Sequence, residues 1–90
     1  MSTHLSDEQA QARIEELELE ERRLRSEERD AAEHNVSDRV AADRERLAAV
    51  KIELDQLWDY LHQRRAFRDA GQDPNQARLR DADTVEKYLG

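Results

Sequence analysis

An all-α fold, an antiparallel two-helix coiled-coil hairpin followed by short C-terminal helical segments, is predicted by three features of the sequence. Apolar residues recur at steps of three, four and seven along two long stretches. Residues suited to helix ends bound both stretches, and the two fall into one register when laid antiparallel. With two Gly and one Pro to punctuate 90 residues, residues 1–90 read as a single unit.

Helix one is expected over residues 6–33. Ser6 and Gln9 form a capping-box pattern, and Asp7 and Glu8 suit the positive end of a helix dipole. Its seam runs through Ala10, Ile14, Leu17, Leu24 and Ala31, interrupted by Glu21 and Glu28. Residues 34–37 read as a tight reversal, with Asn35 tolerant of the left-handed conformation and Ser37 a good N-cap. Helix two follows over residues 38–70, with a seam of Val40, Leu47, Val50, Leu54, Leu57 and Leu61, and Gly71 is placed to end it. In residues 71–90, Asp73 and Pro74 open a short helix near residues 74–79, and Asp81 or Asp83 caps another near residues 83–89. Ala77, Leu79, Val85, Tyr88 and Leu89 are too few to make a core of their own, so this segment must dock on a hairpin.

In an antiparallel hairpin, residues at one level have numbers with a constant sum. One such register pairs Ala10 with Leu61, Ile14 with Leu57, Leu17 with Leu54, Leu24 with Leu47 and Ala31 with Val40, each an a position against a d position. It also sets Glu21 against Val50 and Glu28 against Asp43, an acidic clash that weakens the half nearest the turn. Among the flanking charges, Glu18 with Lys51 and Glu27 with Arg46 would attract, while Arg25 with Arg44 and Glu20 with Glu53 would repel. Each such exposed pair is worth at most about 1 kcal/mol.

Fully burying a Leu, Ile or Val stabilises by about 1.5 to 3 kcal/mol, but in one hairpin each seam residue is only partly covered. Ordering the backbone costs on the order of 1 to 2 kcal/mol per residue before helix hydrogen bonds are counted. The lone hairpin is therefore marginal. Trp58, Tyr60 and Phe67 flank the second seam where one partner helix cannot cover them all, which leads to the expectation of a homodimeric four-helix bundle.

Composition narrows the function classes. The formal charge of −7 opposes long-range attraction to nucleic acid or anionic lipid. No apolar run approaches the roughly 18 to 20 residues of a membrane span, and the first residues lack the basic and apolar regions of a signal peptide, so a cytoplasmic protein is expected. Zero Cys removes disulfides and thiolate metal sites.

Two features could carry chemistry. Asp59-x-x-His62 has the spacing of half a bundle metal site, but with Leu61 in the seam both residues fall at solvent-facing positions, so an exposed histidine is the favoured account. Ser, Thr and the remaining His residues have no base or oxyanion donor beside them and glycine-rich phosphate loops are absent, so no catalytic residue, cofactor or metal is expected. The stronger candidate is the arginine cluster Arg64, Arg65, Arg68, Arg78 and Arg80, whose forks could converge on one anion, with Trp58 and Tyr60 nearby for stacking. The bland account is that Arg64 pairs with Asp7, level with it in the register, and that Asp69, Asp73, Asp81 and Asp83 pair locally. Trp58, Tyr60, Phe67, Leu19 and Ile52 are candidate interface anchors. Leu19 and Ile52 both lie at f positions at one level, extended by Leu5 and Ala12, where the C-terminal segment or a partner could dock.

The residues Leu54-Asp55, Trp58-Asp59, Leu61, Gln63-Arg64-Arg65-Ala66, Arg68-Asp69-Ala70-Gly71, Asp73-Pro74, Ala77-Arg78, Arg80, Val85-Glu86 and Tyr88-Leu89 together resemble a family of small actinobacterial proteins catalogued as a domain of unknown function. Residues 10–25 are similar to its first helix more loosely, around Ile14, Leu17 and residues 20–25, and the region from Ser26 to Arg46 looks longer than in that family. The resemblance implies a helical hairpin in an actinobacterial cytoplasm and supplies no activity. The function expected is a non-catalytic protein-protein interaction or assembly module, a coiled-coil adaptor or assembly factor acting as a homodimer on an unidentified protein partner. The competing class is a nucleic-acid- or ribosome-associated accessory protein gripping phosphate through the arginine cluster.

Overall fold

The computed structural model describes residues 4–34 and 37–89, and of these the side chains of all but residues 32 and 86–89. Two long helices, α1 (Asp7–Glu33) and α2 (Ser37–Asp69), pack along their length as an all-α hairpin. A 3₁₀ turn at Pro74–Gln76 and the short helix α3 (Ala82–Leu89) follow, and both pack on α2. The result is a rod of 55 × 25 × 24 Å.

The start of α1 and the end of α2 each have a local cause. At the start of α1 the Ser6 amide donates to Gln9 Oε1 at 2.9 Å and the Gln9 amide donates to Ser6 Oγ at 3.0 Å, satisfying orphan donors reciprocally. At the end of α2 the Gln72 amide donates to the Phe67 carbonyl at 2.8 Å and the Gly71 amide to the Arg68 carbonyl at 3.0 Å, a Schellman arrangement that needs Gly71 at φ +71°. The reversal read at Asn35 and Val36 lies outside the described residues.

The core joins Ala10, Ile14, Leu17 and Leu24 of α1 to Val50, Leu57 and Tyr60 of α2 and to Ala77 of the C-terminal segment. Leu47, Leu54 and Leu61 are only half-buried, because a single facing helix cannot enclose them. The polar seam positions are resolved unevenly: Glu21 is met by Arg25 at 3.4 Å and Glu28 by Arg44 at 2.7 Å, whereas Asp43 is buried and its Oδ2 finds no hydrogen-bond partner among the described residues.

Three sequence expectations need correction. The predicted repulsion of Glu20 with Glu53 does not arise, because each carboxylate takes a two-pronged grip from an arginine of the opposite helix. Arg46 holds Glu20 at 2.6 and 2.8 Å, and Arg13 holds Glu53 at 2.7 and 3.1 Å. Long side chains reach diagonally along the same flank, which a same-level comparison ignores. The helix expected near residues 74–79 is one 3₁₀ turn ending at Ala77, whose φ −62° and ψ 145° are extended. Beyond it the backbone of Arg78 bonds the side chain of Gln63 instead of its own helix. Finally, the C-terminal segment lies on the face of α2 that carries Gln56, Asp59 and Gln63, while Leu19 and Ile52 stay 60% and 46% exposed. As f positions on facing helices, those two residues point to opposite edges of the hairpin and cannot form one row.

Candidate functional site: the arginine cluster and its strap

The five arginines occupy the open end of the hairpin, where α1 begins, α2 ends and the C-terminal segment crosses. Arg64 projects from a buried position on α2. It donates from Nε to Asp7 Oδ1 at 2.5 Å and from NH1 to Asn75 Oδ1 at 2.9 Å, with its guanidinium 5.9 Å from the centre of the Tyr60 ring. One turn later Arg68 donates to the other Asp7 oxygen at 2.7 Å. Asp7 therefore sits between two arginines at the N-terminus of α1, and the bond from Arg64, aided by Arg68, holds its carboxyl below the usual carboxylate range against a smaller effect of burial. Arg64 is correspondingly held more firmly protonated by Asp7.

Arg80 turns back from the C-terminal segment and clasps Asp59 through Nε at 2.8 Å and through NH2. Asp59 is 1% exposed, so the solvent-facing position expected for it is wrong: the C-terminal segment covers that face of α2. Gln63 completes the clasp, donating to Asp59 Oδ2 at 2.8 Å and to the Arg78 carbonyl at 2.7 Å while accepting from the Arg78 amide at 3.1 Å. Gln56 donates to the Arg80 carbonyl at 3.1 Å. Burial raises the Asp59 carboxyl, but the bonds from Arg80 and Gln63 outweigh it and hold it below its ordinary value. His62, its supposed metal-binding companion, is exposed. Among the described residues no group of three or more His, Asp or Glu is arranged to hold a metal ion.

The arginines thus do not converge on one anion. Arg64 and Arg68 meet Asp7, and Arg80 meets Asp59, which are different sides of α2. Arg65 is 82% exposed and reaches Asp69 only at 4.0 Å; Arg78 is exposed beside His4, Tyr60 and Leu79 at a cavity of about 270 Å³. Of the expected interface anchors, Tyr60 is unavailable: it is buried, and its hydroxyl donates to the Leu5 carbonyl at 2.8 Å and accepts from the Leu5 amide at 2.9 Å, tying the entry to α1 onto α2. Phe67 packs half-buried on the core, whereas Trp58 is 41% exposed.

Sequence reasoning missed that Gln56, Asp59 and Gln63 of α2 receive the strap. Their signal was a step of three and then four, one polar face of α2 off the seam, which looks like any solvated face.

These features define a class of protein: an all-α hairpin whose open end is closed by its own C-terminal strap. The chain matches the family described as "Protein of unknown function (DUF2630)" over residues 6–90 and belongs to it. It is 41% identical over 85 residues to "Uncharacterized protein Rv0898c" of Mycobacterium tuberculosis and, equally, to "Uncharacterized protein Mb0922c" of Mycobacterium bovis, covering 94% of this chain and 92% of each relative. The family match runs through both long helices and the C-terminal segment. No solved structure matches the chain.

Proposed function

We propose that this protein is a non-catalytic, cytoplasmic protein-protein interaction or assembly module that self-associates into a four-helix bundle. The observation that carries the reading is the incomplete cover of the apolar surface on α2: Leu47, Leu54 and Leu61 are half-buried and Trp58 is 41% exposed. Such a surface favours a protein partner over water. The net charge of −7 and the engagement of Arg64, Arg68 and Arg80 by the chain's own carboxylates support this reading over phosphate binding.

Affinity capture of the tagged protein from a lysate of its own organism, with and without nuclease, tests the choice. A protein partner that survives nuclease is the expected result. Recovery that depends on RNA or DNA, and is lost when the exposed Arg65 and Arg78 are changed to Glu, would replace this reading with the accessory-protein one.

A further inference from the structure

The two long sides of the hairpin are not alike. On one side Arg13–Glu53 and Glu20–Arg46 bridge the helices, Tyr60 ties down Leu5, and the strap lies close by. On the other side, the flanking residues of α1 are Gln11, Glu18 and Arg25 and those of α2 are Lys51, Trp58 and Arg65. There a groove of about 490 Å³ runs between the helices at the open end, lined by Gln11, Trp58, Leu61 and Arg65 among others.

We infer that this open side is the self-association surface, and that a second copy docks on it about a two-fold axis parallel to the helices, so that α1 of each copy covers α2 of its partner and each Trp58 enters the partner's groove. The inference rests on the self-association proposed above and assigns it a face and a symmetry. Three observations select this arrangement. The half-exposed apolar residues Leu54, Trp58 and Leu61 lie toward the open end, and only an axis along the helices brings open end to open end; the perpendicular axis would set them on the partner's Arg22, Arg25 and Arg44. The same axis places Glu8 of α1 near Arg65 of the partner and sets Lys51 of the partner between Glu18 and Arg22, so that Glu8 and Glu18 meet opposite charges, against Arg22 beside Lys51 and Glu15 beside Asp55. Toward the turn, where basic ends would meet, Arg25 and Arg44 are already neutralised within their own chain by Glu21 and Glu28. A closed, isologous pair of this kind needs no second type of surface.

The absence of cysteine in the native chain makes the symmetry measurable. Sedimentation at micromolar concentration is expected to show a dimer, weakened about thirtyfold or more by Trp58→Glu, as for an aromatic anchor at an interface centre, and unchanged by Ile52→Glu on the outer edge. Helix content by circular dichroism should be retained in both. When Glu18→Cys and Lys51→Cys proteins are mixed and oxidised, a mixed disulfide between the two is expected. A dimer that Trp58→Glu leaves intact, or a mixture that yields no mixed disulfide, overturns this face and symmetry while self-association stands. A native chain that sediments as a monomer overturns both, and the lysate capture then decides separately whether the interaction reading survives.

Discussion

The two ends of the hairpin treat buried charge in opposite ways. At the open end, Asp59 and Arg64 are buried, and each is met by a charged partner and by further polar groups: Arg80 and Gln63 for Asp59, Asp7 and Asn75 for Arg64. At the turn end, Asp43 is buried in the seam opposite Glu28, and one of its oxygens has no partner among the described residues. A buried ion is tolerable where its lone pairs are satisfied and costly where they are not. The open end is therefore organised by its charges, while the turn end is weakened by one. The extra satisfaction comes from the C-terminal segment, which supplies Arg80, Asn75 and three backbone carbonyls to α2 and has no counterpart at the turn among the described residues.

The largest expected effect comes from breaking the strap. Arg80→Ala leaves the Asp59 carboxylate buried without its cation, which costs about 3 kcal/mol. Urea unfolding measures the loss, and limited proteolysis should show faster cleavage between α2 and α3. A change below about 1 kcal/mol would mean that the clasp adds little to holding the segment.

The same substitution at the two ends should have opposite signs. Asp43→Leu removes a carboxylate with an unsatisfied oxygen from a buried seam position and is expected to stabilise by about 1 to 3 kcal/mol. Asp59→Leu deletes a satisfied carboxylate, removes the acceptor that Arg80 and Gln63 share, and is expected to destabilise. Thermal melts of both variants decide the point: two losses of stability would show that Asp43 has a favourable role.

Much of the hairpin was legible because a coiled-coil seam is written in apolar spacing, and spacing survives translation into three dimensions. Ala10, Ile14, Leu17, Leu24 and Ala31 are all buried, and the level assigned to Arg64 and Asp7 is the level at which they bond. The strap was not legible, because its contacts pair side-chain amides and a guanidinium with backbone carbonyls and a carboxylate, none of which imposes a period. Asp59 consequently read as solvent-facing, and Arg78 read as helical although Gln63 takes its backbone groups. The flanking ion pairs were misread for a related reason: Arg13 and Arg46 reach Glu53 and Glu20 along a diagonal that only side-chain length permits.

The smallest expected effect is a change of slope with pH. Asp7, bonded chiefly by Arg64, and Asp59, whose bonds from Arg80 and Gln63 outweigh burial, both titrate in the folded chain below the 3.8 of a free aspartate. Unfolding raises these pKa values, so the unfolded chain takes up protons first. The stabilisation from both residues is complete above the unfolded value and is lost as pH falls through the lower folded values. Stability should therefore fall as pH is lowered from about 5 to about 3. Asp7 is partly exposed and screened by solvent, so Asp7→Asn should flatten that fall by less than about 1 kcal/mol. Denaturation midpoints of the native chain and of this variant across that range provide the measurement. Parallel profiles would show that Asp7 orders the start of α1 without coupling its charge to folding, and would leave Asp59 as the acid-sensitive contact of the open end.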